Sequence, residues 1–574
     1  MALTMARAQD GIPIVQSTTD RGTRFPSPAD DQRVFNKGTH SLERYSVSSG
    51  GWVTDSAFMP PSSMVGDGVN DDTAGFNADA LAALGTSGVA GILVLPPKSY
   101  KLNGAVTVPA GVVVDATGSV FTIAASVSFG LGAEWHGGTI QWTTTGAIDA
   151  FVPTADKTKF RDVEFIGSGA IGTAGSALYQ RAINGTKYNS GTVERCRFSN
   201  MTVGVWVGGS SLDPTPYGWR ITDNDFTNIV GYRGQSEGYA VLFTPASSGW
   251  ITHNRFNTIA RHPIYLAGGA CRNLVAWNNI DTADNVGIQL NTSLSQPVQD
   301  HNTIAFNEIT NITKSIAYGY NSAVGIGIYG NNTNTMVVGN RISKFVDIGI
   351  QWSSPSTDHT SSVVGFGAFI TKNWIDGNTG VACSDSCIRT DDPDDCVVTD
   401  NDLIVANNTY GIVTSGALTL AVSVSYYQRN RIRTMGSGST GVRIQSTNGA
   451  HTFGPNDITG PGTAYDTTSG GGGFAVLPVD GYLGLGDNDW TYTQGVTPRT
   501  LNQTTTLTAN RVLTLGTIGA GAGSVVRVAR PSSGAFTYTV KDGSGTTIKA
   551  LSTGQWVECL FNGSAWQSIG SGSL

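Results

Sequence analysis

Charge is scarce in this chain of 574 residues: Asp, Glu, Lys and Arg together make up 13%, and only seven of the 42 acidic residues are Glu. Such a shortage of Glu fits a chain built from turns and strand edges rather than helices. The formal net charge is −7, which argues against a nucleic-acid partner, since such proteins carry a basic face. Cysteine is also sparse. The six lie at 196, 271, 383, 387, 396 and 559. The last close set, Cys383, Cys387 and Cys396, matches no common zinc spacing, so neither metal nor cofactor is expected. Long apolar runs are missing too. Met1-Ala-Leu-Thr-Met-Ala-Arg-Ala offers no secretory signal, and no stretch reads as a membrane span, so synthesis in a cytoplasm without membrane insertion is expected. No window joins twelve residues of helical period to the repeat described next, which excludes leucine-rich and helical solenoids.

What is present is glycine, 74 residues of it, and a recurring phrase. An apolar residue is followed by two residues, Asn, one residue, and then Ile, Leu or Phe. It reads Ile221-Thr-Asp-Asn224-Asp-Phe226 and Ile251-Thr-His-Asn254-Arg-Phe256, and it returns around Asn278, Asn307, Asn340, Asn373 and Asn401. It continues loosely at Asn430 and Asn456, while Cys196, Val163 and Gly138 hold the Asn place upstream. Successive steps are 24 to 33 residues. Between them lie short runs of alternating polarity such as Gly287-Ile-Gln-Leu290 and Gly349-Ile-Gln-Trp352. Period two means strand, and strands at this repeat length mean a parallel β-helix. Asn suits the sharp bend between strands because it tolerates left-handed backbone, and its amide can bond to the Asn of the next coil. Cys196, at an Asn place, is expected to be a core thiol.

Stacked coils leave open ends that need caps. Gly66-Asp-Gly-Val-Asn-Asp-Asp-Thr73 precedes the one convincing helix, Ala74 to Leu84. Asp71, Asp72 and Thr73 can cap it, and Phe76, Ala80, Leu81 and Leu84 form its apolar stripe. After Gly460 the phrase dissolves, and new alternation from Thr491 predicts an antiparallel β-domain. The expected division is therefore an N-terminal module over 1–58, a parallel β-helix with its helix cap over 59–484, and a C-terminal β-domain over 485–574.

The Gly-Asp-Gly-Val-Asn-Asp-Asp-Thr motif before an Ala-rich helix resembles the opening of the pectate-lyase-like superfamily. The segment Ile12-Pro-Ile-Val, Arg24-Phe-Pro, Gln32-Arg-Val-Phe, Glu43-Arg-Tyr and Trp52 resembles the short virion-attachment modules of phage tail proteins. Together with the C-terminal β-domain, the chain resembles a tailed-phage tailspike with a right-handed parallel β-helix. That resemblance implies a homotrimer in the virion tail, joined to a tail or baseplate protein by its N-terminal module. It also implies binding, and often cleavage, of a host cell-surface polysaccharide. It carries over no catalytic residue, because no tailspike catalytic motif is matched.

A solenoid converts sequence into rows, since residues at equal offset from the Asn place stack one coil apart. The row just after that place runs Glu164, Arg197, Asp225, Arg255, Asn279, Glu308, Arg341, Trp374, Asp402, Arg431, Asp457. Alternating signs read as a surface charge ladder, which removes Glu308 from the catalytic candidates. A second row, Arg261, Asp284, Lys314 and Asp347, is confined to mid-chain, with Asp281 beside Asp284. Asp284 and Asp347 suit a carboxylate pair for glycosidic cleavage, or an ion-pair stack with Lys314. A third set, Trp206, Tyr265, Gln289 and Tyr329, offers rings and amides to sugar, or to a subunit contact. Three insertions could wall a groove: Gly231–Gly238, which carries Glu237; Ser353–Phe369, with Asp358 and His359; and the acidic Ser384–Asp395, which reads as a calcium-type cluster or a solvated turn. The expected catalytic set is Glu237, Asp281, Asp284 and Asp347, with Trp206, Tyr265, Gln289, Tyr329 and Arg261 contacting substrate. The expected function is an endo-glycosidase acting on surface polysaccharide. A lyase is the alternative, with Arg261 and Lys314 neutralising a uronate, and a non-catalytic adhesin is a third reading.

Overall fold

The computed structural model describes residues 64–84, 91–142, 147–169, 179–209, 215–231, 237–292, 296–314, 321–353, 367–379, 383–391, 396–415, 424–445, 450–466, 474–476, 479–495 and 497–574, with strand backbone at 14–15, 33–36, 41–46 and 51–59. Two compact units are distinguished, residues 1–285 with 315–321, and residues 286–314 with 322–574. Each is built from coils of three short strands that pair in parallel with the same strand of the next coil.

In the first unit, the strand before each Asn place forms one sheet, as in Arg220–Thr222, Trp250–Thr252 and Leu274–Ala276. The strand after it forms a second, as in Arg197–Ser199, Asp225–Ile229 and Arg255–Ile259. A third sheet runs through Ile148–Pro153, Gln180–Asn184, Val203–Gly208, Tyr239–Thr244 and His262–Ala267. Ile183, Val205, Val241 and Ile264 stand in one register column of the third sheet and are fully buried. Phe165, Phe198, Phe226 and Phe256 form a stack in the second sheet, with ring centres 4.6 to 5.1 Å apart. In-register strands place like residues on like, so apolar columns fill the interior.

The asparagines form the expected ladder, though not for all of the expected reason. The left-handed residue is the one before the Asn place: Asp223, His253 and Trp277 have φ of 58°, 57° and 55°. Asn itself stays out of that region. Its work is hydrogen bonding. Asn254 Oδ1 accepts from the backbone N of Asn224 at 3.0 Å and from Asn224 Nδ2 at 2.9 Å. Asn254 Nδ2 donates to Ile221 O at 2.9 Å and to Asn278 Oδ1 at 3.0 Å. An amide can do this because it carries an acceptor and two donors on one short side chain. Cys196 continues the column as a core thiol, its backbone N bonded to Asn224 Oδ1 at 2.8 Å and its pKa pushed up to about 12 by burial.

The cap helix spans Thr73–Ala82. Phe76 stacks on Trp135 with centres 5.8 Å apart, so the helix does cover a coil interior. Two expectations fail here. Leu81 is 65% exposed, because at about 100° per residue it lies roughly 140° around the helix from the buried Phe76. Asp72 makes no side-chain cap bond. Its carboxylate instead accepts from the backbone N of Val65 at 2.7 Å, Gly66 at 3.3 Å and Lys101 at 3.4 Å, tying the Gly66–Thr73 turn to the following coil.

The second unit repeats the scheme, with Asn307, Asn340, Asn373, Asn401, Asn430 and Asn456 bonded in succession at 2.9 to 3.0 Å. The Gly of the third-sheet phrase has a steric reason. A Cβ on Gly325 would lie 2.5 Å from Gly349 O and 2.7 Å from Ile342 Cγ2. After the last Asn, the chain alternates between two sheets. Val479–Leu485, Pro498–Gln503 and Val525–Arg530 pair in parallel, as do Trp490–Tyr492, Arg511–Leu515 and Tyr538–Asp542. Antiparallel strands then close the C-terminus, Thr547–Leu551 on one sheet and Gln555–Phe561 with Trp566–Ser573 on the other. Tight turns dictate the change. Asp542 accepts from the backbone N of Ser544 and Thr546, and Asn562 from those of Ser564 and Ala565, and so short a connection permits only antiparallel return. The segment over 479–574 therefore enters as a parallel coil before it becomes antiparallel.

Candidate functional site

The third sheet of the first unit carries an outward face in which residues from five successive strands meet. Asp149 stands in register with Arg181, Arg181 with Val203, Val203 with Tyr239, and Tyr239 with His262. A neighbouring column runs Asn184, Trp206, Leu242, Tyr265. Because sheet side chains stand perpendicular to the strands, these residues are held at inter-strand spacing by the backbone ladder.

Arg181 is at the centre. Its guanidinium carbon lies 3.8 Å from the ring centre of Tyr179 and 3.9 Å from that of Trp206. One terminal nitrogen is 3.6 Å from Asp149 Oδ1, and the other donates to Glu237 Oε1 at 3.1 Å. Glu237 Oε2 accepts from the Thr202 hydroxyl at 3.1 Å, and Asn184 Nδ2 donates to Asp149 Oδ2 at 3.0 Å. Arg181 Nε, Trp206 Nε1, Asn184 Oδ1 and Asp149 Oδ1 are buried without a hydrogen-bond partner, the last facing the guanidinium at ion-pair distance only. Buried polar atoms are nearly always paired, so four in one patch mark it out from the rest of the coil. Beside them, Arg261 Nη1 donates to the Tyr239 hydroxyl at 2.6 Å, and Tyr239, His262 and Tyr265 pack ring to ring at 5.2 to 5.5 Å.

Four of the expected residues, Glu237, Trp206, Arg261 and Tyr265, thus belong to one face. Trp206 presents a ring face to Arg181, and Arg261 is engaged with Tyr239. Asp281 belongs elsewhere in the first unit. It follows the second-sheet strand Asn279–Ile280 and accepts from Arg255 Nη2 at 3.1 Å. That gives a mid-ladder arginine its partner and Asp281 a structural use. Asp284, half-buried on Ala283–Asp284, lines a shallow cavity with Asn228, Thr258 and Thr282.

The second unit holds the other three. Asp347 is a structural carboxylate: Oδ2 accepts from Ala323 N at 2.9 Å, and Oδ1 from the Ser384 hydroxyl at 2.7 Å and Lys314 Nζ at 2.6 Å. The ion-pair reading of that row therefore holds for Asp347. Gln289 is in register with Gly327, Gln351 and Arg389 on the third sheet. Tyr329 lies over Gly327, where a Cβ would come within 2.5 Å of its ring. Its hydroxyl, pushed upward first by burial and then by Asp391, donates to Gln351 Oε1 at 3.1 Å. Gln351 Nε2 donates to Asp391, and Arg389 links Asp391 to Asp385 at 2.9 and 2.8 Å. This explains the described part of the acidic insertion as an arginine clamp. Asp358 and His359 lie outside the described residues. Among the described residues, no cluster of His, Cys, Asp or Glu could hold a metal ion.

The ladder row behaves as read. Glu308, Arg341, Trp374, Asp402 and Arg431 are consecutive register partners, Arg341 lies over Trp374, and the Glu308 side chain is 54% exposed. Arg181, Asp149, Thr202, Tyr179, Tyr239 and His262 were not legible as a site. Rows counted from the Asn place lose register where insertions of unequal length separate the second and third sheets.

Residues 182–360 match the family model described as right handed beta helix region. The fold is a right-handed parallel β-helix. Solved structures of similar fold include the catalytic unit of a thermostable GH87 α-1,3-glucanase from Streptomyces thermodiastaticus, at 16% identity and TM-score 0.42, covering 74% of this chain and 69% of that one. The Dettilon tailspike protein is similar at 14% identity and TM-score 0.39, covering 73% and 68%. PfbA, a surface adhesin of Streptococcus pneumoniae, is similar at 14% identity and TM-score 0.37, covering 68% and 90%. No curated protein matches the chain. At these identities the likeness concerns the fold.

Proposed function

We propose that the chain is a tailspike-type protein that binds and cleaves a bacterial surface polysaccharide on the outward third-sheet face of the first unit. The observation that carries this reading is the meeting of two carboxylates, Asp149 and Glu237, with Tyr179, Trp206, Tyr239 and Tyr265 on one rigid face. Glycosidic cleavage needs two carboxylic groups, one to handle the proton of the leaving oxygen and one to act on water or on the anomeric carbon. Rings suit the C–H faces of sugars, and amide and hydroxyl groups suit their hydroxyls. In this reading Glu237 and Asp149 are the reacting pair, and Tyr265 and Trp206 border the chain of sugars. The N-terminal module over 1–58 joins the virion, and three copies assemble; light scattering of the full chain tests the second point.

The second reading is a lyase, favoured by the Arg261–Tyr239 contact beside His262. In this reading the Arg261 guanidinium neutralises the uronate carboxylate, the Tyr239 side chain as phenolate takes the proton next to it, and the glycosidic C–O bond breaks as the resulting phenol returns that proton to the leaving oxygen. The test is incubation with purified capsular and O-antigen polysaccharides from a strain panel. New reducing ends without ultraviolet-absorbing products support hydrolysis. Unsaturated products select the lyase. Binding without either product leaves an adhesin and overturns the proposal.

A further inference from the structure

We infer that Arg181 is the positioning residue of this site, the group that holds both carboxylates in their working geometry. The inference rests on the hydrolase reading above and adds a role that the charge and aromatic rows do not contain. An arginine can hold two carboxylates in fixed relation only if its own plane is fixed. Here two rings pack on the guanidinium, Tyr179 at 3.8 Å and Trp206 at 3.9 Å from its central carbon, so its rotation is hindered by both. The two terminal nitrogens then point to different carboxylates, Asp149 and Glu237. The remaining nitrogen, Nε, is buried without a partner. The guanidinium is thus oriented by rings and carboxylates alone, although a buried donor is left unsatisfied.

The origin of the two carboxylates sharpens the point. Asp149 sits on Ile148–Pro153, deep in the sheet ladder. Glu237 precedes the strand Tyr239–Thr244 and belongs to no strand itself. Its side chain is fixed by two bonds, from Arg181 and from Thr202. Arg181, on Gln180–Asn184, therefore ties a residue outside the ladder to one inside it. Reacting groups need to be held within about 0.5 Å of productive geometry, and long side chains outside strands do not achieve that without such support. A lysine could not replace it, because an ammonium neither stacks between two rings nor presents a planar fork.

The test uses the full chain and the purified polysaccharide that the wild type depolymerises in the strain panel. Arg181→Ala is expected to lower kcat by about a hundred-fold while KM stays within about three-fold, as for loss of a group acting in the transition state. Added guanidinium at millimolar concentration should restore part of the lost kcat, whereas Arg181→Lys should not. Should Arg181→Ala fail to fold, Tyr179→Leu keeps the guanidinium and removes the stacking ring that does not border the sugar chain, and a drop in kcat of about ten-fold is expected. A raised KM with unchanged kcat, or full turnover in either variant, overturns the positioning role and leaves the hydrolase reading standing. Full turnover in Glu237→Gln overturns the hydrolase reading itself, whatever Arg181 does.

Discussion

Asn254 and Arg181 are both polar side chains held in one place in the first unit, and their surroundings differ in kind. Asn254 lies inside a turn with every polar atom of its amide paired, three times to its neighbours in the column and once to a backbone carbonyl. Arg181 lies on the outside of a sheet between two rings, bridges two acids, and leaves one nitrogen unpaired. A fully satisfied network locks a fold. A partly satisfied one beside carboxylates is the feature on which the proposed reacting face rests. The same contrast separates Asp347, which accepts three bonds in its own unit, from Glu237, whose partners are a stacked guanidinium and one hydroxyl.

The comparison can be broken in four places. Asn254→Ala should be the most damaging. It removes the side-chain acceptor of the Asn224 backbone N, one of the two acceptors of Asn224 Nδ2 and the amide donor to the Ile221 carbonyl in a dry interior, and a loss of about 3–5 kcal/mol in unfolding free energy is expected. Denaturant melting of the soluble variant measures it; wild-type stability would mean that the column is ornamental. Glu237→Gln should act the other way, lowering turnover about a hundred-fold or more while the melting curve is kept. A destabilised but active variant would place Glu237 with the structural carboxylates.

Acid sensitivity sharpens the contrast, because amide columns do not titrate and ion pairs do. Glu134 is held down to about 2 from an ordinary 4.5, first by the hydrogen bond from His136 at 3.1 Å and then by Lys159, against the opposing effect of burial. A carboxylate depressed in the folded state contributes stability that is present above pH 4.5 and lost as pH falls toward 2. Glu134→Gln should therefore melt lower than wild type at neutral pH and level with it near the acid end, a gap of about 1–3 kcal/mol that closes on acidification. A gap that stays constant with pH would assign the loss to packing. The smallest effect is expected at Glu308, exposed and 4.0 Å from Arg341. Glu308→Gln should change stability by less than about 0.5 kcal/mol and leave turnover intact. Loss of turnover there would move the reacting face to the charge ladder.

The sequence by itself determined the repeat and hence the coil. Apolar spacing around the Asn phrase demands strands of period two, the near-constant step demands stacking, and in-register stacking puts Asn on Asn and charge on charge. It also determined the cap helix and the role of Glu308 as one rung of a ladder, because each follows from local spacing. Only the tertiary structure decided which residue bears the left-handed backbone, since both the Asn and the residue before it could do so; the amide is better used across coils. Only it decided that Asp281 and Asp347 are consumed by Arg255 and by Lys314 with Ser384. And only it brought Asp149, Arg181 and Glu237 together. These three come from three coils separated by insertions of unequal length, and a row counted along the chain cannot survive such insertions, whereas backbone hydrogen bonds between strands restore the register at each coil.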